Sequence, residues 1–116
     1  MAIVLRPVQA LRLWHDVSLA LVLDDEPDLS ARQATMLLTI YLEPQPHTVR
    51  GLAARLGVTK PVVTRALDTM GRQGLVTRKR DPVDRRNVLV QRTVAGALFL
   101  ERLGDLVVTK AAQLPS

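Results

Sequence analysis

At 116 residues the chain fits one compact domain and excludes two, yet it is long enough to bury a core. It has no cysteine, which excludes a disulfide framework, a thiolate metal site and thiol-based redox sensing, and makes the cytoplasm the expected compartment. The net charge of +5 rests on 16 basic residues, thirteen of them arginine, whereas Trp14, Tyr41 and Phe99 are the only aromatics; that scarcity argues against single-strand binding by base stacking and leaves duplex nucleic acid open.

The run from Met1 to Leu23 is largely apolar, but Arg6, Arg12, His15 and Asp16 interrupt it, so it reads as neither a signal peptide nor a membrane span. Pro7 suits a first helical turn, and Ala10, Leu13, Trp14, Val17, Ala20 and Leu21 then fall on one helical face. The segment Asp24-Asp25-Glu26-Pro27-Asp28 breaks this helix; without calcium-loop spacing it reads as a solvated linker and not as a cation site. Ser30 and Gln33 form an S-x-x-Q capping box for a second helix, with Ala34, Leu37, Leu38 and Tyr41 on its apolar face. Pro44 and Pro46 end it.

A short third helix, capped by Thr48, carries Val49, Leu52, Ala53 and Leu56 and stops at Gly57, a residue that tolerates a left-handed helix end. Thr59 is the cap expected for a fourth helix, in which Val63, Ala66, Leu67 and Met70 repeat the same spacing as far as Gly74. Two amphipathic helices joined by so tight a turn make a helix-turn-helix, whose second helix enters the DNA major groove. The opposite face of that helix presents Lys60, Pro61, Thr64, Arg65, Asp68 and Arg72. Arginine bonds bidentately to guanine, and Lys60 and Thr64 sit near the helix N-terminus, where phosphate is favoured.

Leu75–Arg78 and Val88–Arg92 are rich in β-branched and aliphatic residues around a turn-prone Lys79–Asn87, which predicts a β-hairpin with a basic tip. Arg78, Lys79 and Arg80 line it, and Arg85 or Arg86 is placed to enter a narrow minor groove while Asp84 orients an arginine or caps the turn. Charge follows this organisation. Residues 1–46 hold three arginines against six carboxylates, residues 47–92 hold eleven bases against three aspartates, and the remainder is neutral. The basic excess is therefore a localised field over the helix-turn-helix and hairpin.

The tract Arg80-Asp81-Pro82-Val83-Asp84-Arg85-Arg86-Asn87, together with Leu52–Val58, Val63–Asp68, Gly74-Leu75-Val76 and Thr93–Gly96, resembles the MarR family of bacterial winged-helix transcription regulators over about residues 30–100. The resemblance implies a mainly α (α+β) winged helix-turn-helix: helix-turn-helix about 48–74, wing about 75–92, and dimerisation helices about 7–23 and 94–113 in a single domain. It further implies a homodimer on a palindromic operator, with Arg65 in the major groove and Arg85 or Arg86 in the minor groove. Gly51 and Arg92 depart from the family pattern, and the 23 residues after Thr93 imply abbreviated dimerisation helices.

The first helix is apolar at 11 of 16 positions from Val8 to Leu23, and Val94–Ala112 at 12 of 19. Helices apolar nearly all round need cover on more than one side, which a symmetric partner supplies. Leu11, Leu19, Val22, Leu23, Phe99, Leu100, Leu103 and Val107 are the expected interface residues. Trp14, His15, Met36 and Tyr41 either line a small-molecule effector pocket or serve as core and interface residues. Two histidines, no phosphate-cradling glycine loop and no paired carboxylates outside loops argue against an enzyme, a cofactor or a metal. A regulator acting as a repressor on double-stranded DNA is the leading reading; a winged-helix protein-interaction adaptor and an architectural DNA-binding protein are the alternatives. An adaptor has no need of five basic residues on one hairpin.

Overall fold

The computed structural model describes residues 3–24 and 27–115; Asp25 and Glu26, in the acidic linker, lie outside the described residues. The elements run α1 (Pro7–Leu23), α2 (Ala31–Leu42), β1 (His47–Thr48), α3 (Val49–Leu56), α4 (Lys60–Arg72), β2 (Val76–Arg80), β3 (Val88–Arg92) and α5 (Val94–Ala112). Two compact units result: Leu29–Leu100, and the residues before Leu29 together with those after Leu100.

In the larger unit the expected local signals operate. Ser30 and Gln33 close the capping box reciprocally, at 3.1 Å and 2.9 Å. The Thr48 hydroxyl accepts from the Gly51 N–H at 2.9 Å, and Gly57 ends α3 at φ 67°, in the left-handed region. Thr59 stands at the N-cap of α4 without a side-chain cap bond, its carbonyl instead accepting from Val63. Three antiparallel strands in the order β1-β3-β2 flank the helices, with Thr48 opposite Leu89 and Arg78 opposite Val90. The two-residue β1 was not expected, because a strand so short has no periodicity to read. β2 also runs further than expected, so Lys79 and Arg80 lie in a strand and not in the turn.

The core takes Met36, Leu37 and Ile40 from α2, Leu52 and Ala53 from α3, all four expected residues of α4, then Leu75, Val76, Val90 and Phe99. Full burial of each large aliphatic side chain contributes about 1.5–3 kcal/mol. Two expectations are corrected. The buried face of α2 is Met36, Leu37 and Ile40: of the expected stripe Leu37 is fully buried and Tyr41 packs half-buried against the core, but Met36 and Ile40, which lie off that stripe, are buried completely as well, because the core covers more of this helix than one stripe. Phe99, expected between subunits, is only 7% exposed inside its own protomer's core, and Leu100 packs against that core. The first two turns of α5 therefore belong to the winged-helix body.

One junction fixes that start of α5. The Tyr41 hydroxyl donates to the Leu75 carbonyl at 2.7 Å and accepts from the Thr93 N–H at 2.9 Å. The Thr93 hydroxyl donates to the Gly74 carbonyl at 2.7 Å and accepts from the Gly96 N–H at 2.9 Å. Gly96 is required here, because a Cβ would collide with the Tyr41 hydroxyl and the Leu75 carbonyl.

In the smaller unit no residue of α1 is buried, and Leu11, Leu19, Val22 and Leu23 are all exposed. The Gln9 side chain donates to the Pro115 carbonyl at 3.3 Å. No helix is long and apolar enough to cross a membrane, among the described residues.

Candidate nucleic-acid interface

Burial of Val63, Ala66, Leu67 and Met70 turns the rest of α4 outward. Lys60, Pro61, Thr64, Arg65 and Arg72 are exposed and Asp68 is half-buried. Pro61 occupies the first turn, where its missing N–H costs nothing. Arg65 Nε reaches back to the Pro61 carbonyl at 3.4 Å, at the edge of hydrogen-bonding range, and Arg72 Nη2 lies 3.4 Å from the Thr69 hydroxyl. Both guanidiniums are loosely held.

Asp68 is differently placed. Its Oδ1 accepts from Arg78 Nη2 at 2.6 Å, tying α4 to β2. These two expected contact residues are brought together and neutralise each other, while Lys79 has no side-chain partner among the described residues.

The wing tip is held by its own carboxylates. Asp81 Oδ1 accepts from the Val83 N–H at 2.9 Å, and Asn87 closes the turn through the Asp84 carbonyl at 3.0 Å. Asp84 accepts the backbone N–H and Nε of Arg86 at 3.1 Å and its Nη2 at 3.3 Å. The Arg86 side chain first, then its backbone N–H, hold the Asp84 carboxyl below its ordinary range against desolvation, with the charge of Arg50 adding the smallest pull. Arg80 Nη1 donates to the Arg85 carbonyl at 3.1 Å. The Arg85 guanidinium itself is exposed and has no partner among the described residues.

Several bases counted into the positive block are engaged elsewhere. Arg55 grips the Glu43 carboxylate, with a shortest contact of 2.6 Å, and this pair lowers the Glu43 pKa and raises that of Arg55. Arg92 donates to the carbonyls of Ile40 at 2.8 Å and Glu43 at 3.1 Å, satisfying the C-terminal end of α2, and its guanidinium lies 5.8 Å from the Tyr41 ring centroid. The departure of Arg92 from the family pattern thus has a structural reason. Arg50 was missed: exposed in the first turn of α3, it is close enough to influence Asp84, and the only available signal was its position after a capping threonine.

The possible effector residues do not form a group within either unit. Met36 is fully buried in the core and the Tyr41 hydroxyl is committed to the α5 junction. Trp14 is 77% exposed, and His15 Nδ1 pairs with Asp16 at 2.9 Å. No cluster of three metal-ligating side chains occurs among the described residues.

Residues 28–87 match the family model described as MarR family. A curated relative, the organic hydroperoxide resistance transcriptional regulator of Bacillus subtilis, is 34% identical over 82 residues, covering 71% of this chain and 55% of its own length. The chain thus spans about half of that relative. A solved structure of a mutant MarR from E. coli complexed with operator DNA is 29% identical with a TM-score of 0.67, covering 91% of this chain and 70% of its own. A mutant of S. aureus MepR, at 22% identity, shares the fold with a TM-score of 0.73 over 94% of this chain and 80% of its own.

Proposed function

The chain belongs to the MarR family, and on that premise we propose that it is a sequence-specific, double-stranded-DNA-binding transcription regulator, a repressor that grips a palindromic operator as a homodimer. In this reading α4 lies in the major groove. Arg65 bonds a guanine edge, and Lys60, Thr64 and Arg72 meet phosphates beside it. The wing follows the adjacent minor groove, where Arg85 inserts while Arg86 stays braced on Asp84. Arg78 acts mainly by holding Asp68, and Lys79 and Arg80 add phosphate attraction.

The observation that carries this reading is the division of labour at the wing tip. One carboxylate consumes the charge of Arg86, and the neighbouring Arg85 is left exposed and unpartnered. A protein-interaction adaptor has no use for a free arginine presented in that way, whereas the negative potential of a minor groove does. The relative in complex with operator DNA supports the same reading. Dimerisation places two copies of α4 about one helical turn of DNA apart, roughly 34 Å. The exposed apolar residues Leu11, Leu19, Val22 and Leu23, with Leu103 and Val107, form the partner surface.

The test is selection of bound fragments from a random duplex pool by the purified protein. A palindromic motif supports the proposal; recovery without any motif points to an architectural protein, and no recovery points to an adaptor. Arg65→Ala should cost about 1–3 kcal/mol on the selected site and relax sequence preference at one base pair per half-site.

A further inference from the structure

We propose that the depression between the first turn of α2 and the flank of α4 is an additional backbone-phosphate site for the bound duplex, with Arg32 as its ligand beside Arg65. This inference rests on the DNA-binding reading above. Arg32 and Gln33 of α2 and Val62, Arg65 and Thr69 of α4 line an open depression of about 340 Å³. Two arginines share it and no carboxylate lines it. Like charges around a small concavity repel when it is empty, and an anion between them relieves that repulsion.

The other polar side chains of the depression are already engaged. Ser30 and Gln33 are occupied by their capping box, and the Thr69 hydroxyl donates to the Arg65 carbonyl at 3.3 Å. Recognition is therefore left to the Arg32 guanidinium, whose planar fork matches phosphate oxygens, while Arg65 keeps its fork for the guanine edge and contributes only its charge. Arg32 also borders a second depression of about 350 Å³ with Thr35, Thr39 and Arg55. There Arg55 is neutralised by Glu43, so Arg32 is again the available cation.

Arg32 is the one basic residue of α2, in a sequence segment where carboxylates predominate, yet it has no ion-pair partner among the described residues. A strand of duplex seated on α4 runs past this flank, which selects a backbone phosphate over a free anion as the occupant.

The full chain and its Arg32→Ala and Arg32→Lys variants are titrated with the selected operator duplex, a scrambled duplex and inorganic phosphate over a salt series. Arg32→Ala should weaken both duplexes by the same factor and reduce the slope of log K against log salt by about 0.9, with Arg32→Lys keeping the slope. An unchanged slope and affinity would overturn the assignment, as would a loss confined to the operator, or phosphate binding that Arg32→Ala abolishes without affecting either duplex. If the wild-type chain bound no duplex at all, the DNA-binding reading itself would fail and this site with it.

Discussion

Asp84 holds Arg86 through three hydrogen bonds of 3.1 to 3.3 Å, and this contact frees Arg85, the next residue along, from any competing partner on the wing. The pairing assigns different consequences to neighbouring substitutions. Arg85→Ala should lower operator affinity about tenfold, the worth of one charge-assisted contact. Arg86→Ala and Asp84→Asn should each cost less, and the double variant no more than either alone, because both break the same brace. Fluorescence anisotropy titrations on one duplex measure all four.

A similar logic applies to the 2.6 Å contact between Asp68 and Arg78. Lys79 presents its charge to solvent, so Lys79→Ala should flatten the salt dependence of duplex binding by about 0.9 in slope. Arg78→Ala should flatten it by less, since Asp68 already offsets that charge. Asp68→Ala releases Arg78 and should steepen it, raising affinity for scrambled duplex.

Phe99 and the apolar surface of α1 separate folding from association. Phe99→Ala opens a cavity in the core and should cost about 3–5 kcal/mol in urea unfolding. Leu11 and Val22 are 70% and 72% exposed, so Leu11→Glu with Val22→Glu should leave the unfolding of the winged-helix body unchanged while converting the protein to a monomer in sedimentation velocity. A truncation meant to remove the dimer surface belongs after Leu100, because one at Val94 also strips Phe99 from the core.

Gly96→Ala should destabilise by about 1–3 kcal/mol, as over-packing against fixed atoms does. Adding Tyr41→Phe removes the hydroxyl from the collision but not the Leu75 carbonyl, so the double variant should not recover wild-type stability. Chemical denaturation of the two variants beside wild type decides this.

The Glu43 carboxyl is lowered chiefly by its hydrogen bond from Arg55, with the charges of Arg55 and His47 adding and desolvation opposing. A carboxylate whose folded pKa lies below its unfolded one contributes stability above the unfolded value and loses it as pH falls through the folded value. The Tm difference between wild type and Glu43→Gln should therefore be present at neutral pH and vanish in acid below the ordinary carboxylate range. The pair is solvent-exposed, so the difference should be small.

What could be read from the sequence was local and periodic. The caps at Ser30 and Thr48, the Gly57 stop and the inward face of α4 follow from spacing and backbone chemistry, which act within a few residues. The missed features depend on contacts distant in sequence. The buried face of α2 is set by what surrounds it, Phe99 is claimed by a core built from five other elements, and Arg92 serves α2 across 52 residues. Charge counting likewise located the candidate interface but overstated it, because Arg55, Arg78 and Arg86 each have a carboxylate partner that only folding brings near or orients.

Sequence-specific duplex recognition by α4 and the wing is read most plainly from the ratio of affinities for the selected operator and a scrambled duplex at physiological salt, in wild type and Arg65→Ala. The expected ratio is at least about a thousandfold in wild type, falling by roughly ten- to a hundredfold in the variant. A wild-type ratio near one, unchanged by Arg65→Ala, would contradict it.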